Sequence, residues 1–327
     1  MSTRMPTGGL DLGGTKLLGV AVGAAGEILA ERRVPSPEGS EPVVAALAAM
    51  ARDLGAEVGG LSAVGVGFAG LVDLHGVVRS APNIGGVDGL ALRERLSASA
   101  SLPVIVDNDA NAAAWGEVVH GAAQGVDHAL LVTLGTGVGG GIVADGRVYR
   151  GSGGLAAEVG HITVDPDGPL CACGGRGHWE ALASGGALGR MGREAVNSGG
   201  ARGILDLARG DPEAVRAEHV SEAARHGDPV ALELISVYAG WVALGLGALC
   251  NVLDPALVVV GGGLVALGDL LLQPVRLAFR AHLEAAPRRA EIPIVAAALG
   301  ERAGAIGAAA LARELISADI RPPRHLA

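Results

Sequence analysis

The sequence predicts an α/β protein whose core uses the same β-hairpin unit twice. Three observations predict it. Apolar runs of strand length alternate with longer runs of helical period along the chain. Residues 8–29, GGLDLGGTKLLGVAVGAAGEIL, and residues 130–149, LLVTLGTGVGGGIVADGRVY, follow one plan: strand, glycine-rich turn, strand, tight turn, strand. Half of the 327 residues are hydrophobic and only 2% are aromatic, so the core is expected to be built from small and branched aliphatic side chains, with chain enough for two domains.

The N-terminal residues, MSTRMPTGGLDLGG, contain no long apolar stretch, so no secretion signal is expected. The first repeat turns at Ala25-Gly26 and the second at Asp145-Gly146, and Leu12-Gly13 falls on Leu134-Gly135. AVGVGFAGLVD (63–73) and LPVIVDND (102–109) read as buried strands. ANAAAWGEVV (110–119) reads as a helix, with Asn108 or Asp109 as its N-cap. In the second repeat Gly135, Gly137 and Gly140 fit the dinucleotide pattern G-x-G-x-x-G, which needs a helix straight after the glycines. The apolar GIVADGRVY follows instead and is broken by a hairpin turn, which argues against a nicotinamide enzyme. Leu234–Leu253 is long and uncharged enough to span a bilayer, yet it holds Ser236, Asn251 and several glycines and is closed by Asp254-Pro255. It is expected to be a buried helix and not a membrane span. ALVVVGGGLV (256–265) reads as a strand ending in glycines, and AGAIGAAALARELI (303–316) as an amphipathic helix.

The formal net charge of −9 excludes a general nucleic-acid surface, which requires a basic footprint. A phosphorylated ligand remains compatible, because backbone N–H groups in glycine turns can supply a local positive field. Asp109 follows the apolar strand LPVIV, at the strand end where open α/β sheets place ligands. It reads either as a helix cap or as a general base. CACGGRGHWE (171–180) holds two of three cysteines, and Cys171, Cys173, His178 and the upstream His161 make a ligand set suited to tetrahedral Zn²⁺. The other readings are a redox pair or two idle thiols. A Cys-x-Cys ring is cramped for a disulfide, and the glycine-rich loop is expected to be exposed. Cys250, within an apolar run, reads as a core residue, and three cysteines without a secretion signal point to the cytoplasm.

Five segments in this order resemble the ROK family of sugar kinases, which has the actin-like ATPase (ribonuclease H-like) fold shared with hexokinase. DLGGTK (Asp11 to Lys16) is similar to the family's first phosphate motif, and DNDANAAAWGE (Asp107 to Glu117) to its catalytic segment. LGTGVGGGIVADGRVYRGSGGLAAEVGH (Leu134 to His161) is similar to its signature. CACGGRGHWE stands where the family has Cys-x-Cys-Gly-x-x-Gly-Cys-x-Glu, and VVVGGG (Val258 to Gly263) where it holds adenosine. The resemblance implies a small domain of residues 1–114 plus 305–327 with the first phosphate motif. It also implies a large domain of residues 115–304 with the second phosphate motif, the cysteine loop and the adenosine motif, and a central cleft.

The activity implied is transfer of the γ-phosphoryl group of ATP to a hexose, with glucose as the expected acceptor and glucose 6-phosphate as product. Fructose, mannose or an N-acetylhexosamine is the alternative acceptor, polyphosphate the alternative donor, and a non-catalytic sugar sensor the alternative role. By resemblance Asp109 is the general base. The sugar set is Asn83, Asn108, Asp109, Glu158, His161 and Glu180. Asp11, Gly13, Gly14, Thr15, Lys16, Gly135, Thr136, Gly137, Gly261 and Gly262 hold ATP, with Mg²⁺ reached from Asp11 through water. His161, Cys171, Cys173 and His178 hold a structural Zn²⁺, with His178 in place of the family's third cysteine. Glucose kinases of the family often carry a Trp soon after the asparagine, and NIGGVDG here has no aromatic. Many relatives are repressors with a DNA-binding domain ahead of the first motif; Asp11 comes at once here, so an enzyme without nucleic-acid or membrane partners is expected, as a homodimer or homotetramer.

Overall fold

A computed structural model describes residues 5–318. Residues 1–4 and 319–327 of the expected small domain lie outside the described residues. The elements in chain order are β1 (Thr7–Leu12), β2 (Lys16–Val22), β3 (Ile28–Pro35), α1 (Ser40–Val58), β4 (Val64–Phe68), β5 (Leu71–Val72), β6 (Val78–Ser80), α2 (Leu92–Ala100), β7 (Val104–Asn108) and α3 (Asp109–His120). They continue with β8 (Ala129–Leu134), β9 (Val138–Ala144), β10 (Arg147–Val148), α4 (Glu180–Ala183), α5 (Gly185–Asn197), α6 (Arg202–Leu207), α7 (Ala217–Arg225) and α8 (Pro229–Leu253). The last are β11 (Leu257–Gly261), α9 (Asp269–Phe279), β12 (Ile294–Ala296) and α10 (Ala303–Ala318).

The chain forms two compact units. Among the described residues, unit 1 holds 5–129, 141–157 and 298–318, and unit 2 holds 130–140 and 158–297. One five-stranded sheet has the order β3-β2-β1-β4-β7, and it lies in unit 1. β1 to β3 form an antiparallel meander, while β4 and β7 add in parallel. The second sheet has the order β10-β9-β8-β11-β12, and the chain passes between units within β9. Both glycine turns of the repeat join the two strands of a hairpin, β1–β2 and β8–β9, as the duplicated plan requires.

Unit 1 is organised by α10. This helix packs on β1, β2, β4 and α3. Where it crosses β1 and β4 the facing strand residues are glycines, and against β2 it packs on Leu18, Val20 and Val22. A Cβ on Gly9 would overlap the carbonyl oxygen of Ala305, and one on Gly65 that of Ala308. Gly307 meets the carbonyl of Ala112 in α3 just as closely. At β1 and β4 the helix therefore rests on bare backbone, and its alanines 305, 308, 309 and 312 are fully buried. On the other face of the sheet, α1 and α2 bury Leu47, Leu54, Leu92 and Leu96 with Leu10, Val66 and Phe68. Aliphatic packing replaces the missing aromatics, as composition predicts.

In unit 2, α8 is the one helix among the described residues long and apolar enough to cross a bilayer. Half of its most apolar window is buried within the protein, and it packs against α4, α5, α7 and α9. Its start is set by Asp228, which accepts from the Ala231 N–H at 2.9 Å, with Pro229 at the first position. Its end is set by Asp254 in the left-handed region (φ 45°), followed by Pro255. Tyr238 of this helix is wholly buried and donates to the carbonyl of Ala183 at 2.7 Å.

Gly65→Ala should reveal the α10 contact. The new methyl has only helix backbone to displace, so urea unfolding should show a loss of about 3 kcal/mol. Gly85→Ala, whose added carbon meets nothing within 4 Å, should stay within about 0.5 kcal/mol of the parent. Equal midpoints for the two variants would contradict the backbone-on-backbone packing.

Candidate active site

Unit 1 gathers acidic residues at the ends of its central strands. Asp11 of β1, Gly67 of β4 and Asp107 of β7 stand in one row across the sheet, and Leu12, Phe68 and Asn108 in the next. Asp109 begins α3. Gly67 keeps the space between the carboxylates open: a Cβ there would lie 3.4 Å from the Asp109 Cα and 3.8 Å from Asp11 Oδ1.

The helix cap is Asn108. Its Oδ1 accepts from the N–H groups of Ala110 at 2.9 Å and Asn111 at 3.1 Å, and its Nδ2 donates to Gly70 O at 3.2 Å. The capping duty that either residue could have taken thus falls on Asn108, and α3 starts without needing Asp109 for it. Asp109 Oδ1 also accepts from Ala110 N–H at 2.9 Å.

Burial and the neighbouring Asp109 push the Asp11 carboxyl up to about 7, with Lys16 opposing. The residue keeps partial solvent access while its carboxylate is ringed by protein. Two facing carboxylates of this kind suit a hydrated Mg²⁺, a hard cation that takes oxygen ligands and keeps several waters. Gly13 closes the first hairpin by donating to the Lys16 carbonyl at 3.0 Å, and Gly14 and Thr15 are exposed at the tip. Asn83, also exposed, packs on this tip, its Cβ 2.9 Å from where a Gly14 side chain would begin. The Lys16 ammonium donates to Glu301 at 2.6 Å, and Arg33 shares that carboxylate at 3.1 Å. Its charge is therefore engaged within unit 1.

Unit 2 carries the second hairpin turn. Gly135 donates to Gly137 O at 3.0 Å and accepts from Gly185 N–H at 2.7 Å. Gly135 and Thr136 open onto a cavity of about 1150 Å³. Gly185 and Gly186 at the head of α5, Ala217 and Ser221 of α7, and Gly263 and Leu264 after β11 form its walls. Gly262, at φ 84°, runs against the Leu134 backbone, so it is Gly263 that reaches the cavity and Gly261–Gly262 that bring the chain there. The reading of residue types missed the α7 wall and the Gly185-Gly186 step. The Ser184-Gly-Gly run was the signal available for the second; nothing local marks α7.

The four expected metal ligands come together. One ligand atom from each of His161, Cys171, Cys173 and His178 lies within 4.8 Å of the others. Cys171 Sγ is 3.9 Å from His161 Nδ1, Cys173 Sγ is 3.1 Å from His178 Nδ1, and the imidazoles meet edge to face at 5.5 Å. Two thiols and two imidazoles fit Zn²⁺, whose tetrahedral sites use these donors. The loop was expected to be exposed, and Ala172, Cys173, Gly174 and Arg176 are, but Cys171 is buried because the loop folds back through the Thr163–His178 and Leu170–Arg176 bridges. Burial pushes the Cys171 thiol up to about 11. All three cysteines are free, and Cys250 is a core residue.

Glu158 and Glu180 flank this cluster. Glu158 lies 3.9 Å from His161 Nε2; burial raises its carboxyl, His161 offsets part of that, and Glu180 adds to it. Glu180 Oε2 accepts the Val138 N–H of the second hairpin at 3.0 Å, and Oε1 is 3.5 Å from the Cys171 sulfur. Gly137 permits this, since any side chain there would overlap the Glu180 carboxylate. The adjacent Trp179 is fully buried and donates from Nε1 to Trp241 O at 2.8 Å, which pins the loop to α8.

Comparisons with known proteins agree in direction. A family model described as the ROK family matches residues 7–315. The chain is 44% identical over 310 residues to the glucokinase of Streptomyces coelicolor, covering 94% of this chain and 97% of that one. It is 35% identical over 313 residues to the glucokinase of Thermotoga maritima, covering 94% and 97%. The fold is similar to the crystal structure of a ROK family glucokinase from Streptomyces griseus in complex with glucose and AMPPNP: TM-score 0.84, 42% identity, 94% of this chain and 99% of that chain.

The raised Asp11 carboxyl has a stability consequence. The folded state holds its proton up to about 7, the unfolded chain only to 3.8, so this stabilising contribution is whole below pH 4 and is lost as pH rises through 7. In metal-free protein, Asp11→Asn should therefore be more stable than the parent by on the order of 2–4 kcal/mol at pH 8. The difference should shrink towards pH 4. Urea unfolding at both pH values checks this; a pH-independent difference would refute the assignment.

Proposed function

The chain belongs to the ROK family, and on that premise we propose that it is an ATP-dependent glucokinase of the two-domain actin-like ATPase fold, forming glucose 6-phosphate. The observation that carries this reading is the near-full-length likeness to a glucokinase held with glucose and AMPPNP, and the acidic strand ends and the hairpin-edged cavity of this chain support it.

The chemistry follows from the residues. Phosphoryl transfer needs positioning, neutralisation of the transferred group's oxygens and a group to take the hydroxyl proton. Asp109 Oδ takes that proton from the sugar, and Asn108, between strand and helix, hydrogen-bonds a hydroxyl. Gly13, Gly14 and Thr15 in one hairpin, and Gly135, Thr136 and Gly137 in the other, present backbone N–H groups to the phosphates. When bound, Mg²⁺ supplies charge neutralisation on the phosphate oxygens, and Asp11 anchors its water shell. The cavity walled by Gly185, Ser221 and Gly263 takes the adenosine. Asn83, Glu158, His161 and Glu180 provide the remaining sugar partners.

ATP suits this cavity better than polyphosphate does. Arg193, Arg216 and Arg225 are balanced there by Glu213, Glu218 and Glu222. Each guanidinium already donates to a backbone carbonyl, of Val215, Glu213 or Ala266. A long polyanion would find no unmatched positive track.

His161, Cys171, Cys173 and His178 hold a structural Zn²⁺ that cross-links the Glu158 and Glu180 segments and does no chemistry on the sugar. Exposed Val237 and Val252 of α8 and Leu277 of α9 support a homo-oligomer. The three free thiols support a cytoplasmic location.

Coupled ADP release across a hexose panel tests the function: D-glucose should give the highest kcat/KM, and a higher value for fructose, mannose or N-acetylmannosamine would overturn the substrate. In the same assay Asp109→Asn should lower kcat by about 10²- to 10⁴-fold while calorimetric glucose affinity stays within about tenfold.

Elemental analysis tests the metal. Protein prepared without chelators should carry about one zinc per chain. His178→Ala should lose it and raise the glucose KM more than the ATP KM, whereas His178→Cys should keep both. Zinc-free parent protein together with an unchanged glucose KM in His178→Ala would dismiss the cross-link.

A further inference from the structure

One charged pair in unit 1 has no place in the mechanism above. Asp107, at the end of β7, is 4% exposed. Its Oδ2 accepts from Arg150 Nε at 2.6 Å. Its Oδ1 accepts from the Asn108 N–H at 2.8 Å and from Asn111 Nδ2 at 3.0 Å. A buried carboxylate is costly to retain unless every lone pair is answered, and replacing such a pair by apolar groups often costs a fold nothing. Its presence one and two residues before Asn108 and Asp109 calls for another reason.

We propose that Arg150 is a positioning residue for Asp109: through Asp107 it locks the Asn108–Asp109 turn at the head of α3. This rests on Asp109 being the base. The route is short and each step has one geometry. Arg150 is held on its own side, donating from Nη1 to Val148 O at 3.3 Å, while its carbonyl accepts from Ala156 N–H at 3.2 Å. The guanidinium therefore cannot follow Asp107; Asp107 must meet it. Once fixed, the Asp107 carboxylate orients the peptide that leads into Asn108. It also orients Asn111, which is 1% exposed and whose Oδ1 finds no protein partner. Asn111 is thus set by its Nδ2 bond to Asp107 alone, since turning its Oδ1 to a carboxylate would be repulsive. Both ends of the first turn of α3 are tied to one anion, and the anion to one cation. Arg150 also opens the 151–157 segment that leads in sequence to Glu158. A lysine could supply the charge, but its ammonium is a flexible point charge without the planar, directional Nε–H.

The test compares four variants with the parent, using glucose and ATP at saturation and counting nucleotide-binding molecules by AMPPNP titration. R150M should lower kcat per nucleotide-binding molecule by about 10- to 100-fold, the scale of a misplacement near 1 Å, with the ATP KM within about twofold. R150M also leaves the Asp107 anion without its counter-charge two residues from the reacting carboxylate, so the acid limb of kcat/KM should move up by about half a pH unit or more. In the double variant R150M/D107N the limb should return to the parent position while kcat stays about tenfold low, because the charge is gone but the tie is not restored. The remaining charged groups nearby, Asp11 on β1, Arg147 on β10 and Glu314 on α10, are the same in every variant. R150K restores the charge without the directional Nε–H, so it should return the acid limb to the parent position while recovering kcat only in part, and a limb that stayed displaced would count against the charge argument. A merely structural arginine would lower the count of binding molecules and leave their kcat and the limb alone. R150M with kcat within about twofold of the parent, or with an unmoved acid limb, would overturn the proposal. Should R150M fail to fold, the double variant, which buries no charge, carries the kcat comparison, and parent-like kcat there would overturn it equally. D109N is the fourth variant: activity retained in it would refute the base itself, and a dead D109N beside a normal R150M would refute only the positioning role.

Discussion

The close seat of α10 on the unit 1 sheet is the constraint on which the rest of that unit depends. Gly9 and Gly65 bring helix backbone against the backbone of β1 and β4, and Gly307 brings it against that of α3, while Leu18, Val20 and Val22 of β2 pack on Ala305, Ile306 and Ala309 beside them. Such a contact has almost no slack, because main-chain atoms cannot change rotamer to relieve a clash. Both ends of it bear on the site. β1 and β4 are held at the depth that puts Asp11 and Gly67 in register, and α3 is held so that Asp109 comes to Gly67. Glu117 completes the frame at the far end of α3, accepting from the N–H groups of Ala122, Ala298 and Leu299 where α10 is about to begin.

That frame concentrates negative charge, and unit 1 treats Asp107 and Asp11 differently. Asp107 is answered in full by Arg150 and by two N–H donors. Asp11 is left facing Asp109, and its proton is held up to about 7. The difference is what a phosphoryl-transfer site requires: one anion neutralised for architecture, and another kept short of positive charge until a cation and phosphates arrive. On the proposed function, an acidic protein binds a polyanion because the attraction would be supplied by N–H groups and a metal and not by net charge.

In unit 2 the comparable anchor is Trp179. Gly245 of α8 gives way to its ring, and its N–H is spent on Trp241 O. Its neighbours in sequence are His178, an imidazole of the candidate metal site, and Glu180, a hairpin-binding carboxylate. Fixing one aromatic side chain thus places a ligand and a carboxylate together. Glu180 joins the cysteine loop to the second hairpin, so the segments proposed to hold the sugar and the phosphates in this unit share one residue.

The sequence by itself determined the α/β class and the paired hairpins, and it nominated most residues of the candidate site. Those features are written in local patterns: alternation of apolar runs, glycines at turns, and residue types whose chemistry is specific, such as two thiols beside two imidazoles. It also carried the family resemblance, on five short segments. Tertiary structure alone decided the rest. It chose Asn108 over Asp109 as the helix cap, because the choice depends on which carbonyl, that of Gly70, lies within reach of the amide. It buried Cys171 while exposing Cys173, because two β-bridges fold the loop back on itself. It drew α7 into the cavity wall and brought Arg150 to Asp107, 43 positions earlier in the chain. Local pattern cannot encode such partners: a charged side chain looks the same in sequence whether it meets water or a buried carboxylate. Only the packing of distant segments settles which it meets.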